Sequence, residues 1–125
     1  MSAKHLKLTV SCGHDTRIVN ICDILYFEAF NGKIIMHYQN LNGSSDFAFY
    51  GTMNDLEREL SGHGFCRVHR SFMVSLGHLS QVNGSNIRLE CMEDTDIPVG
   101  ACYLKNLRDG ILKTPAIHIC AGARK

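Results

Sequence analysis

The residues best suited to chemistry sit in the stretch Phe65-Cys-Arg-Val-His-Arg-Ser-Phe-Met-Val-Ser-Leu76. Arg67, His69, Arg70 and Ser71 stand there between apolar residues with the character of a core. Cationic side chains are costly to bury without partners. The cluster must therefore face a polyanion or form a satisfied internal network. Lys33 directly follows an Asn31-Gly32 pair, and Lys105 and Arg108 lie in a later segment. Lysine and arginine neutralise phosphates and release counterions, and arginine also offers a planar fork to guanine edges. Asn31, His69 and Ser71 add short hydrogen-bonding groups beside those cations.

Other chemistries find less support. The chain has no Gly-x-Ser-x-Gly elbow, phosphate loop, Gly-x-Gly-x-x-Gly or His-Glu-x-x-His, so it reads as a non-enzyme. Cys66 and His69 could form a thiol–imidazole pair, but on a strand residues three apart point to opposite faces. His63-x-x-Cys66-x-x-His69, Cys12-Gly-His14 and His118-Ile-Cys120 have ligand types at usable spacing. None supplies four ligands, so no metal site and no cofactor is expected. The six cysteines include no Cys-x-x-Cys pair. They read as reduced, mostly buried small residues.

With 125 residues, the chain suits one domain with a real core, and 45% apolar content suits a globular protein. The net charge of +1 gives no general affinity for polyanions, so only a local cluster could create one. No apolar run approaches the roughly 20 residues of a membrane helix. Met1 to Lys7 lacks a signal-peptide core. A cytoplasmic protein, or a domain excised from a larger one, is expected.

The elements that must position these residues are mostly strands. Leu6–Val10 alternates apolar and polar, Gly13-His14-Asp15 breaks it, and Thr16–Asn20 completes a first hairpin. Ile21–Ile24 reads as one helical turn. In Leu25–Phe30, alternation places Leu25, Phe27 and Ala29 on one face. Asn-Gly pairs at 31–32, 42–43 and 83–84 supply the positive φ angles of tight hairpins. The first joins Leu25–Phe30 to Lys33–Gln39, the second leads into Asp46–Tyr50, and the third joins Leu79–Val82 to Asn86–Glu90. A helix follows Thr52, with Asp55 placed for a capping box and Met53, Leu56 and Leu60 forming its stripe. Gly62 and Gly64 end it. A second helix spans about Ala101 to Lys113, with Leu104, Leu107 and Ile111 inward. Thr114-Pro115 stops it. Residues 1–115 are expected to form the domain, with 116–125 a tail that could add one strand over Ala116–Cys120.

The order of motifs is more specific than any one of them. Ile24-Leu-Tyr-Phe-Glu-Ala29, Asn31-Gly-Lys33, Phe49-Tyr-Gly-Thr-Met53-x-x-Leu56-Glu57, Phe65-x-Arg-Val-His-Arg-Ser-Phe-Met-Val74 and Ile97-Pro-Val-Gly100 follow one another in register. Over roughly Leu6 to Leu112 the chain resembles the LytTR family, DNA-binding domains of bacterial response regulators. The resemblance implies an elongated, mostly β fold of small antiparallel sheets, about ten strands with short helices. It implies sequence-specific binding to direct repeats in double-stranded DNA, through loops entering the major groove, with a homodimer on the DNA. Three loops would carry the contacts: Asn31-Gly32-Lys33, then His69-Arg70, then the turn around Gly100-Ala101-Cys102. The chain departs from the family pattern twice. Its first loop is a tight turn, and the first cation of its third loop is Lys105.

The resulting expectation is a transcription-regulator domain in which Asn31, Lys33, His69, Arg70, Ser71, Ala101, Cys102, Lys105 and Arg108 face DNA. Arg67 braces them from inside, because alternation puts it on Phe65's side of the strand, with Glu28 or Asp55 as partner. A receiver domain would belong to the partners if the chain is part of a larger regulator. Two alternatives stay open on the residues alone: a protein–protein module whose Arg/His cluster meets an acidic partner, and a thiol or zinc sensor.

Overall fold

The computed structural model describes residues 6–115 and Ile119. Ten strands form three antiparallel sheets: β1 (Lys7–Cys12) with β2 (Asp15–Asn20), a five-stranded sheet, and a three-stranded sheet. The five-stranded sheet runs β5-β4-β3-β7-β6, from β3 (Ile24–Phe30), β4 (Lys33–Asn40), β5 (Gly43–Tyr50), β6 (Phe65–His69) and β7 (Phe72–Ser75). The third sheet is β10-β9-β8, from β8 (Leu79–Asn83), β9 (Asn86–Leu89) and β10 (Met92–Pro98). Helix α1 covers Met53–Leu60, and α2 covers Leu104–Lys113 behind a 3-10 turn at Ala101–Tyr103. The expected helical turn after the first hairpin is present at Ile21–Asp23. The expected strand over Ala116–Cys120 lies outside the described residues, apart from exposed Ile119.

The central sheet is covered on both faces, which divides the core in two. One cluster contains Ile24, Phe27, Ile34, Met36, Phe47, Phe49 and Met73, closed by Val10 and Val19 of the hairpin and by Met53, Leu56 and Leu60 of α1. The other contains Leu25, Tyr26, Cys66, Val68, Val74, Ile87, Leu89, Ile97, Val99 and Leu107. Leu25 therefore does not share a face with Phe27 as strict alternation would have it. A β-bulge between Ile24 and Tyr26 leaves Leu25 without a partner on β4 and turns it to the second cluster beside Tyr26. Bulges are invisible to a period-of-two reading, because the sequence pattern at Leu25 is apolar on either side.

Helix α1 is held at its start by Thr52, whose hydroxyl accepts the Asp55 amide at 3.1 Å. The Asp55 carboxylate turns instead to Arg58. Gly62 and Gly64 have φ of +85° and +84°, the conformation that reverses the chain into β6. Helix α2 lies close on β6. A Cβ at Gly110 would stand 3.0 Å from a Leu76 methyl carbon and 3.8 Å from Cys66 Sγ.

On the face of β3 turned from Phe27, Tyr26 stacks on His37 at 4.2 Å between ring centroids, and His37 Nε2 lies 2.8 Å from Glu28 Oε1. Burial pushes the Tyr26 hydroxyl up to about 12, helped by the negative charges of Glu28 and Asp46. The neutral phenol is thus the form that the fold favours. Its stabilising effect is complete below the ordinary value near 10 and is lost as pH rises from 10 through 12. Relative to Tyr26→Phe, wild-type protein should lose about 2 kcal/mol of unfolding free energy over that window. Urea denaturation of both proteins at pH 9 and near 12 measures it; a constant difference would place Tyr26 in contact with water.

Candidate nucleic-acid interface

Three chain reversals are tied together at one end of the central sheet. The first is Asn31-Gly32, with φ of +53° and +77°, closing the β3–β4 hairpin. Two successive positive φ values are what a tight two-residue hairpin turn demands. The second is Arg70-Ser71 between β6 and β7. The Ala29 amide donates to the Ser71 carbonyl at 2.9 Å, which sets these two turns side by side. The third begins at Gly100, whose amide donates to the Val68 carbonyl at 2.8 Å. The Tyr103 amide returns to the Gly100 carbonyl at 2.9 Å and closes the 3-10 turn. A Cβ at Gly100 would meet the Tyr103 ring at 3.1 Å, so the residue at this seam must be small.

Arg67 is the member that holds this end together. Its Nη1 donates to Asn54 Oδ1 at 2.6 Å and to Glu57 Oε1 at 3.1 Å, both on α1. Its Nε donates to the His69 carbonyl at 3.3 Å, and Nη2 donates to the Arg70 carbonyl at 2.8 Å. Its guanidinium carbon lies 5.8 Å from the Tyr103 ring centre. One side chain, 11% exposed, thus bridges α1, the β6–β7 turn and the Gly100 turn. It lies on Phe65's side of β6, as alternation requires, but its acidic partner is Glu57. Neither expected candidate is free for it. Glu28 is engaged by His37 across the sheet, and Asp55 pairs with Arg58 on the outer side of α1. A helix brings positions 54 and 57 to one face, three residues apart. That is why Asn54 and Glu57 approach Arg67 together while Asp55 does not.

With Arg67 neutralised from inside, the outward charge comes from its neighbours. Arg70 is exposed, and its side chain has no hydrogen bond or ion pair among the described residues. His69 Nδ1 accepts the Ser71 amide at 3.1 Å, and its ring stands edge-on to Phe72 at 5.6 Å. That bond requires Nδ1 to be unprotonated, so the neutral ring carries its proton on Nε2 as a donor. Lys33 is half-buried, with Nζ 5.2 Å from the centre of the Tyr50 ring. Ala101 and Cys102 are exposed on the third turn.

The remaining expected residues stand apart. Lys105 and Arg108 are exposed on α2, and Lys105 faces Asp109 one turn on, at 3.2 Å. Among the described residues neither bonds to the three turns. Asn31, Lys33, His69, Arg70, Ser71, Ala101 and Cys102 therefore form one group, with the α2 cations on its flank. Sequence reasoning missed Tyr103, Asn54 and Glu57 as supports of Arg67. The helical pairing of positions 54 and 57 was readable, but its target on a strand ten or more residues later was not.

The residues proposed for metal or thiol chemistry are not gathered. Among the described residues no three or more His, Cys, Asp or Glu side chains surround a common point; His118 and Cys120 lie outside them. Cys66 is buried, and that burial, with the nearby Glu57 charge, pushes its thiol up to about 11. A thiol so raised is a poor nucleophile. Among the described residues no helix is long and apolar enough to cross a membrane.

The LytTr DNA-binding domain family matches residues 14–111. Among characterised proteins, the sensory transduction protein LytT of Bacillus anthracis is 28% identical over 111 residues, 86% of this chain and 44% of LytT. The LytT of Bacillus subtilis is 29% identical over 105 residues. The CO-responsive transcriptional regulator RcoM of Rhodospirillum rubrum is 27% identical over 107 residues, 43% of its length. The chain thus spans less than half of these relatives. A solved LytTr DNA-binding domain from Bacillus cereus superposes with a TM-score of 0.66 over 84% of this chain and 95% of its own, at 22% identity.

The support around Arg67 can be measured without any ligand. Arg67→Met keeps the apolar stem but strands Asn54, Glu57 and two carbonyls. It should cost about 1–3 kcal/mol of unfolding free energy, whereas Arg70→Met, at an exposed position, should stay within about 0.5 kcal/mol. Urea midpoints of the two variants decide; equal stability would remove Arg67 from its bracing position.

Proposed function

The chain belongs to the LytTr DNA-binding domain family, and from that premise we propose that it reads specific sequences in double-stranded DNA through its three clustered turns. The observation that carries the proposal is the pair of backbone bonds, Ala29 to Ser71 and Gly100 to Val68, which join turns from three distant parts of the chain into one surface. Arg70 is exposed on that surface. Its planar fork suits the two acceptors of a guanine in the major groove. Lys33, from the adjacent hairpin, supplies a second positive charge, and His69 offers its Nε2 donor between them. Asn31 and Ser71 contribute amide and hydroxyl groups, and Ala101 and Cys102 approach the duplex by backbone and small side chains. Lys105 and Arg108 contact phosphates at the flank, adding affinity without sequence information.

Domains of this kind act inside larger regulators. We place this chain in the cytoplasm as the DNA-binding part of a bacterial transcription regulator, controlled by a sensory or receiver domain. It binds direct repeats, with two copies side by side on the DNA. The inner and outer arginines divide the work. Arg67 fixes the turn, and Arg70, whose side chain has no partner among the described residues, is available to a base.

Selection from a random duplex pool tests the function. A repeated motif should be enriched, and affinity for it should fall steeply as salt rises, because each phosphate contact releases counterions. On the selected duplex Arg70→Ala should lose about 1–3 kcal/mol and relax preference at one base pair. Lys105→Ala should weaken binding to all sequences alike and flatten the salt dependence. No enrichment at low salt would overturn the DNA reading and favour an acidic protein partner for the same surface.

A further inference from the structure

The tip of the β3–β4–β5 ribbon carries a feature that the charged residues do not explain. Across the three strands Phe30 stands opposite Lys33, and Lys33 stands opposite Tyr50. Directly opposed residues of antiparallel strands point to the same face. The tip therefore presents a row of aromatic, cation, aromatic. Phe30 is 59% exposed and Tyr50 is 73% exposed, among the most exposed large apolar side chains of the described residues. Behind them on the same face stand half-buried Glu28, Ile35 and Ala48, with the Glu28 carboxylate held by His37. The row lies beside the Arg70 turn, because Ala29, the residue before Phe30, is bonded to Ser71.

Neither aromatic ring is needed for the core. Phe30 is outside both buried clusters and has no ring contact among the described residues. Tyr50 touches the cation of Lys33 and otherwise faces water. A large ring left in water at the tip of a hairpin is apolar area held ready for an occupant. The occupant's chemistry follows from the flanking charges. It carries negative charge for Lys33 and Arg70, and apolar groups at the spacing of the rings.

We propose that Phe30 and Tyr50 are specificity residues that pack against thymine methyl groups in the major groove, on either side of Lys33. The C5-methyl of thymine is the apolar group a base pair presents there. Rings on both sides of Lys33 also exclude water from its ammonium, which strengthens its attraction to the nucleic acid. This inference rests on the DNA-binding reading, and adds thymine steps beside the base pair that Arg70 reads.

The test uses the duplex selected from a random pool and the same duplex with uracil replacing thymine, which removes only the methyl. Wild-type protein should bind the uracil duplex about fourfold more weakly for each contacted methyl. Phe30→Ala and Tyr50→Ala should each bind the thymine duplex more weakly by a similar factor and lose one such factor of discrimination, and the double variant should barely distinguish the two duplexes. Tyr50→Phe keeps the ring and should retain the discrimination, which keeps the test valid if an alanine variant folds poorly. Equal wild-type affinity for both duplexes would overturn the methyl contact. So would alanine variants that still discriminate as wild type does. In either case, a large loss in Arg70→Ala would leave the DNA reading standing. Failure of wild-type protein to bind any duplex would overturn both.

Discussion

The guanidinium of Arg67 is the constraint on which the rest of this end of the molecule depends. It is nearly buried, and an unpaired buried cation would be strongly destabilising. Its contacts reach three parts of the chain: α1 through Asn54 and Glu57, the β6–β7 turn through two carbonyls, and the Gly100 turn through the Tyr103 ring. Because the donors lie in one rigid plane, these parts cannot shift independently. Among the described residues its charge is neutralised by one carboxylate, that of Glu57, and the two carbonyls leave the outer surface of the turn unencumbered. Arg70 lies three residues on, lends only its carbonyl to this network, and keeps its own charge outward. Two arginines in one short motif thus serve opposite ends of the same problem.

The packing beneath explains why this end is rigid enough to present side chains. Two cores grip the central sheet from opposite faces, and bulges let its strands serve both. The bulge at Leu25 sends that residue to the second core. A second irregularity, between Arg67 and His69, offsets Val68 from its partner strand and leaves it fully buried. On this edge strand the Val68 carbonyl accepts the Gly100 amide, the bond that brings the third turn into the group. The irregularity in the strand ladder thus lies beside the joined turns, in keeping with the frequent placement of bulges beside functional sites.

Much of this was legible in the amino-acid sequence. The Asn-Gly pairs marked hairpins, although among the described residues only Asn31-Gly32 takes two consecutive positive φ angles, and the stripe Met53, Leu56, Leu60 marked α1. The ordered motifs alone carry the resemblance to the family. What escaped was non-local. Leu25 looked like any alternating strand residue, since an inserted bulge leaves no trace in an apolar run. Glu28 and Asp55 were reasonable partners for Arg67 by charge alone, yet sheet register gave Glu28 to His37 and helix phase gave the place to Glu57. The row of Phe30, Lys33 and Tyr50 becomes visible only when three strands are laid side by side. These misses concern which residues meet in space, which pattern within a segment does not encode; the cysteines, expected to be mostly buried, are a further correction, since among the described residues only Cys66 is buried and Cys22, Cys91 and Cys102 are exposed.

The central claim is that one surface, made of the 30–33, 69–71 and 100–103 turns, receives duplex DNA. Backbone amide shifts of the isotope-labelled protein, followed through titration with a duplex enriched from a random pool, test it most directly. The account predicts that the largest changes fall in those three segments and in Tyr50, with the amides of the β1–β2 hairpin and of β8 left nearly unmoved. Changes centred instead on the β1–β2 hairpin or on β8 would contradict it.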